Sequence, residues 1–447
     1  MNQTIVIERT RKDLSAISGL IFFSDLINRL NLDGKLGTVL PKRLRSTGSK
    51  AANKFVLGIM AFIAGADCIE DLEIFRKDPL FGKLAGTMAS TTMGKFLRSF
   101  RLKEIEKLQN LLPELALALR QKLGIEEKVV ITMDSTPHEQ HGLKMEGVEW
   151  NYKSMWCLDS QNAFDQYGFC YGWHLRKGST YSGNGAVEMI ERIFKKIPKD
   201  HKRYFRADSA YSNLAVYNAL LSRGIHFAIC LKENVWAPLV DNYEFKMGWK
   251  KTSIRFFDSN RCQVASCLYP IKGLQGRSFL RVVFIRAQKK NRTKEDKRHY
   301  DYYAVVTDMP ESEMSNDAII DFYRKRANAE NHIKDLKYGM DFKHFPCQKL
   351  NANRGWGMMG IYAYNLMRFA SFILFPSKGC FLKKVRTRMV NLACEIRKGQ
   401  RKIELRFTNH IYQEVQRLQN IIHSLFCPLG PIQAFGRLRG EGLSPPS

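Results

Sequence analysis

No two of the ten cysteines stand at a C-x-x-C spacing, and together they form no regular framework. Neither a structural zinc site nor a disulfide scaffold is therefore expected, and the thiols read as reduced groups in a cytosolic protein. The first residues, Met-Asn-Gln-Thr-Ile-Val-Ile-Glu-Arg, lack the basic segment and the long apolar run of a secretory leader. The longest apolar stretches are residues 55–65, too short to span a bilayer, and residues 357–375, which carry Asn365 and Arg368; both read as buried helices. Internal repeats and low-complexity tracts are missing too. Acids are scarce beside bases: 43 Asp and Glu against 71 Lys and Arg, a formal charge of +28 and a pI near 9.7. The excess recurs along the whole chain and is not gathered in one amphipathic helix, which points to a polyanion such as nucleic acid and away from a membrane surface.

What is present is most informative between 323 and 337, Tyr-Arg-Lys-Arg-Ala-Asn-Ala-Glu-Asn-His-Ile-Lys-Asp-Leu-Lys. At about 100° per residue an α-helix brings Tyr323, Arg326, Glu330 and Lys337 within roughly 60° of one another. Phe322, Ala329, Ile333, Leu336 and Met340 form a neighbouring apolar stripe. Ser315 as N-cap, Asp317 in the first turn and Gly339 as C′ residue punctuate a helix from about 316 to 338. A solvated face of mixed charge has a similar composition. The spacing Y-x2-R-x3-E-x6-K resembles the signature of a large group of bacterial insertion-sequence transposases, and that resemblance implies that Glu330 is the last acid of a catalytic triad with two carboxylate partners upstream.

Residues 1–122 show helical periodicity at Ser15–Leu30, Lys50–Ala64 and Thr91–Leu112 and are expected to form a helical DNA-binding domain. Its basic loop holds Lys42, Arg43 and Arg45, and Ser90–Arg98 reads either as a recognition helix or as a capped surface helix. From 123 to 232 the pattern changes to strands. Lys128–Pro137 ends in an acid and a turn, placing Asp134 at a strand end. Met155–Leu158 and Phe169–Leu175 follow, with polar Asp159–Asp165 between them as a hairpin loop. A helix, a short strand from Arg203 that ends at Asp208, another helix and the strand Phe227–Leu231 complete the run. Either Asp alone reads as an Asx-turn. Three strands, helix, strand, helix, strand is nevertheless the order of the ribonuclease H-like fold, whose first and fourth strands end side by side, so Asp134 and Asp208 are expected to meet.

Residues 233–308 interrupt that order as a mostly β insertion with strands at Ser253–Phe257, Gln263–Tyr269, Phe279–Ala287 and Tyr300–Thr307. Its basic loop, with Lys289, Lys290 and Arg292, suits a DNA backbone or a solvated hairpin tip; Trp236 and Trp249 suit a core or a stacked unpaired base. The core resumes over 309–376 with the Glu330 helix and a long buried helix at Gly355–Phe375, and 377–447 is a basic segment, either a DNA surface or a solubilising tail. The expected class is thus α/β: a ribonuclease H-like core interrupted by a β insertion, with helical N-terminal and C-terminal segments.

Met133-Asp134-Ser135-Thr136, Arg206-Ala207-Asp208-Ser209-Ala210-Tyr211, the Tyr323–Lys337 helix and Tyr362-Ala363-Tyr364-Asn365-Leu366 together resemble the DDE transposases of bacterial insertion sequences. The resemblance covers about 128 to 370, within the Y-R-E-K group (insertion sequence 4-like superfamily), and is greatest to the insertion sequence 1380 family. It implies that Asp134, Asp208 and Glu330 are both the catalytic residues and the ligands of two Mg²⁺ ions, for which Mn²⁺ substitutes. It also implies that a homodimer in a synaptic complex binds the terminal inverted repeats, cuts the strand and joins the freed 3′-hydroxyl to target DNA, in the cytoplasm with the bacterial nucleoid. DNA contacts are expected from Tyr323, Arg326, Lys334 and Lys337 as well as the two basic loops. His138-Glu139-Gln140-His141 does not have the H-E-x-x-H spacing of a zinc site. The competing readings are a ribonuclease H-fold nuclease without strand transfer and a domesticated, inactive DNA-binding protein, the latter disfavoured by the intact acids.

Overall fold

The computed structural model describes residues 5, 7–40, 50–125, 127–142, 144–256, 259, 261–289, 298–399 and 402–426. Of these described residues, 109–117 and 127–334 form one compact unit; those before 109, 118–125 and 335–426 form another.

The first of these is built on a mixed sheet. Its main strands are β1 (Val129–Glu139), β2 (Trp156–Phe164), β3 (Cys170–Lys177), β4 (Arg203–Ala207), β5 (His226–Cys230), β6 (Cys262–Pro270), β7 (Phe279–Gln288) and β8 (Tyr300–Thr307). They lie in the order β3-β2-β1-β4-β5-β8-β7-β6, with the short strand Lys250–Thr252 beyond β6. Pairing is parallel only for β1 with β4 and β4 with β5 among these main strands; the wings on either side are antiparallel. Four helices matter to the site: α1 (Ala186–Phe194), α2 (Leu214–Leu221), α3 (Asn316–Arg324) and α4 (Asn328–Gly339).

Successive strand residues point to opposite faces, and this decides what each helix covers. Phe205 and Ala207 are fully buried on one side of β4; on the α2 side Tyr217 stacks on Phe227 of β5 at 5.7 Å. Tyr204 and Arg206 point the other way and meet Phe322 of α3. There Ile319, Ile320, Phe322 and Tyr323 share an apolar cluster with Val283, Ile285 and Val305. Strands β6–β8 therefore continue the same sheet beyond β5. The segment from 233 also opens with a helix, Glu233–Tyr243, which the sequence pattern had not suggested. The strand expected at Ser253–Phe257 is instead Lys250–Thr252, followed by an isolated bridge from Phe256 to Ser259; Thr252 Oγ1 accepts Ile254 N at 3.1 Å as the ladder ends.

One expected loop is a strand. Asp159–Phe164 runs through the interior of β2, and its polar residues are buried in pairs: Asp159 with Arg176, Gln161 with the carbonyl of Ser182, Asn162 with Ser160. The turn comes later, where Asp165 Oδ1 accepts the amides of Tyr167 and Phe169, each at 2.9 Å. Gly168 lies there at φ +83°.

The other unit is mainly helical. Helix Ala51–Ala64 packs with helix Leu350–Leu374, which is buried along almost its whole length. Phe55 meets Tyr362 edge-on at 5.6 Å, and Phe62 lies 4.5 Å from Trp356. The helix expected at Thr91–Leu112 is two, Ser90–Arg98 and Leu102–Lys122, the second opening where Glu104 Oε2 accepts Arg101 N at 3.1 Å. Residues 109–117 of that helix belong with the sheet. A three-stranded sheet joins Asp13–Ser15, Cys394–Lys398 and Ile403–Arg406. No disulfide occurs among the described cysteines, and among the described residues no helix is long and apolar enough to cross a membrane.

Candidate active site

The parallel ladder between β1 and β4 runs from Val129 opposite Arg203 to Met133 opposite Ala207. Asp134 and Asp208 are the next residue on each strand, so the register itself brings the two acids together. β4 stops there, and Asp208 caps the 3-10 turn Ser209–Tyr211 by accepting Ala210 N at 2.9 Å. β1 does not stop at Asp134 as expected. It continues to Glu139 because β2 keeps pairing with it, Asn162 standing opposite Asp134.

The third acid arrives from α4. The single helix expected over 316–338 is broken: α3 ends at Arg324, Lys325–Ala327 tighten into a 3-10 turn, and α4 begins at Asn328. At the break the carbonyl of Phe322 accepts Arg206 Nη1 at 2.9 Å, while Arg206 Nε and Nη2 bond Thr132 Oγ1 at 3.2 and 3.0 Å. One buried arginine thus joins β4, β1 and the end of α3. Ser315 caps α3 as expected, its Oγ accepting Ala318 N at 3.3 Å. Gly339 remains helical, and the residue with positive φ is Asp341 at +47°. The start of α4 is seated on the sheet by His332, whose ring lies 5.6 Å from Phe164. A Cβ on Gly168 would come within 2.4 Å of that imidazole.

Arg326 occupies the centre. Its Nη1 donates to Asp134 Oδ2 at 3.3 Å and its Nη2 to Glu330 Oε1 at 3.5 Å, and its buried Nε has no hydrogen-bond partner among the described residues. Burial pushes Asp134 up to about 6; Arg326 pulls it down, Asp208 and Glu330 push it up, and the Ser135 amide at 2.9 Å pulls it down. Burial draws Arg326 downward, but Tyr323, Asp134, Tyr303 and Asp208 together hold it above its ordinary value. The three carboxylates and the guanidinium are therefore one electrostatic group.

Tyr323 is 4% exposed and its hydroxyl accepts from Tyr303 at 2.9 Å, with burial pushing the phenol up to about 12. Lys334 is exposed on α4, and Lys337 is half-buried seven residues beyond Glu330, a rise of about 10 Å. Lys289 faces Asp301 at 4.0 Å. Lys42, Arg43, Arg45, Lys290 and Arg292 lie outside the described residues. Trp236 is buried under Tyr302 and Arg298 and serves the interior, whereas Trp249 is half-buried, held by Arg286, Phe284 and a bond from its Nε1 to the Glu244 carbonyl at 2.9 Å. In the carboxy-terminal basic stretch Arg386 is also internal, donating to the carbonyls of Phe62, Ile63 and Gly339.

The sequence showed Arg206 only as part of a motif and gave no sign of Tyr303. An arginine set between buried Phe205 and Ala207, two residues before an acid, was the available signal. As they stand, no three His, Cys, Asp or Glu side chains among the described residues are grouped closely enough to hold a metal ion. The donor chemistry nonetheless fits a hard divalent cation: carboxylate oxygens from three elements, mutually repelling and drawn to one positive group.

Comparison with curated proteins found no match. The model of the family described as transposase DDE domain group 1 matches residues 1–426. Two acids on adjoining strands, a glutamate on a following helix and a match across almost the whole chain lead to one assignment: the chain belongs to the DDE-domain transposases.

Proposed function

We propose that this transposase binds the terminal inverted repeats of an insertion sequence of the Y-R-E-K group, similar to the 1380 family, and catalyses DNA strand cleavage followed by strand transfer. The strand order β3-β2-β1-β4-β5 supports reading the sheet's centre as a ribonuclease H-like core to which β6–β8 are added. The observation that carries the reading is the meeting of Asp134, Asp208 and Glu330 around Arg326.

Asp134, Asp208 and Glu330 would hold two Mg²⁺ ions. When bound, such ions activate a hydroxyl nucleophile and neutralise charge on the leaving oxygen. The chain's own residues do the rest. Asp134 at about 6 is ionised near neutrality and ready to bind a cation. Arg326, its Nε–H unpaired among the described residues and its cationic state favoured, would orient a phosphate beside the acids. Arg206 and Tyr303 hold α3 and Tyr323 in place so that Arg326 and Glu330 are presented together. DNA backbone contacts are assigned to Lys334, Lys337 and the basic loops, and two copies of the chain to the paired ends.

The test uses purified protein and a duplex carrying the inverted repeat that flanks its gene, with Mg²⁺ or chelator, for wild type and Glu330→Gln. Metal-dependent release of a 3′-hydroxyl end by wild type alone, followed by joining to a second duplex, is expected. Cleavage by Glu330→Gln at the wild-type rate would remove Glu330 from the triad.

A further inference from the structure

The loop Gly178–Gly185, which follows β3, is bonded beside both strand-borne acids, to β1 next to Asp134 and to the turn after Asp208. Ser182 Oγ accepts from Ser135 Oγ at 2.7 Å, next to Asp134. Tyr181 donates its hydroxyl to the carbonyl of Ala210 at 3.1 Å, in the turn that Asp208 caps. Gly183 rests on the same carbonyl, where a Cβ would come within 2.4 Å. From beneath, the buried guanidinium of Arg176, paired with Asp159, donates to the carbonyls of Tyr181, Ser182 and Asn184 at 3.4, 3.3 and 2.6 Å. Gln161 Nε2 adds a bond to Ser182 at 2.9 Å. The loop is thus preorganised.

Its outer surface is a cationic grip. Tyr181 is 49% exposed, and exposed Lys232, just past the end of β5, donates Nζ to the Tyr181 hydroxyl at 2.9 Å. The ammonium stands 5.3 Å from the Tyr181 ring centre. Among the described residues Lys232 forms no ion pair. Two of its three N–H donors remain for another oxygen ligand.

We propose that Lys232, held in place by Tyr181, binds a backbone phosphate of the DNA strand lying on the Asp208 side of the catalytic acids. The inference rests on the active-site reading above. A fixed ammonium, without an ion pair among the described residues and attached through one tyrosine to the acid-bearing turn, suits a phosphodiester oxygen: it requires no base identity, and its distance from Asp208 is set by the loop. Lys232 is thus the DNA-binding group, and Tyr181 is the positioning residue that holds it.

The test measures binding of the same terminal-repeat duplex, and of an unrelated duplex of equal length, over a range of salt concentrations. Loss of one phosphate contact lowers the slope of log K against log salt by about one, equally on both duplexes. Lys232→Gln should show that shallower slope and slower single-turnover cleavage; Lys232→Arg should restore both. Tyr181→Phe, which keeps the ring but loses both hydrogen bonds, should keep the slope and slow cleavage. Circular dichroism and melting should match wild type for all three. A Lys232→Gln protein with wild-type slope and cleavage overturns this inference alone. Failure of wild type to cleave under any divalent metal would instead overturn the reading of the site.

Discussion

Buried charge governs the chain at the scale of single residues. Asp159 and Arg176 are 6% exposed each and bonded at 2.9 Å. Asp159→Asn would leave the guanidinium under the Gly178–Gly185 loop uncompensated, with an expected cost of about 3 to 5 kcal/mol in urea unfolding; replacing both residues by apolar ones should cost less. Asp335 is a buried carboxyl of another kind. Burial pushes it up to about 6 from 3.8, against the pull of the Leu382 amide, Arg368 and Arg386. Because the unfolded chain releases this proton at lower pH than the folded one, the contribution to stability is complete below about 4 and is lost as pH rises through 6. Asp335→Asn should therefore flatten the fall in unfolding free energy between those values and gain on the order of 2 to 3 kcal/mol at pH 7. A parallel pH dependence in wild type and variant would refute the assignment.

Elements show which parts of the fold a reader of the sequence sees. Ser315 was legible because a cap, an acid and an apolar stripe all agree locally; Asp134 and Asp208 were legible because each follows an apolar strand. The interior of β2 was not. Asp159, Gln161 and Asn162 look like a turn until their partners are known, and those partners, Arg176, the Ser182 carbonyl and Ser160, are set by tertiary structure. The break at Lys325–Ala327 was hidden for the same reason, since Arg206 meets the Phe322 carbonyl from more than a hundred residues away. The basic residues of the helix were visible by spacing, whereas the central place of Arg326 between two acids was not. Seating of α4 gives a test of this dependence. Gly168→Ala adds a Cβ at φ +83° and 2.4 Å from His332, so a loss of roughly 1 to 3 kcal/mol is expected together with reduced cleavage. His332→Ala in the same chain should recover part of the cleavage if displacement of α4 is the cause; no recovery would place the defect in the turn itself.

The molecule as a whole draws its helical unit from both ends of the chain. Helix Ala51–Ala64 comes early, Leu350–Leu374 late, and the sheet unit lies between them as the nearly contiguous stretch 126–334. A protein ending at residue 334 should keep the β1–β4 register yet leave Phe55 and Phe62 without Tyr362 and Trp356. Strong binding of a hydrophobic dye by that truncation, absent in the full chain, is the expected readout; dye binding equal to the full chain would argue that the early helices close on themselves. On the ribosome this arrangement fixes an order of events. The strands bearing Asp134 and Asp208 emerge and can pair while the early helices still await their covering helix, so maturation of the helical unit is a signal that translation has passed the segment bearing Glu330.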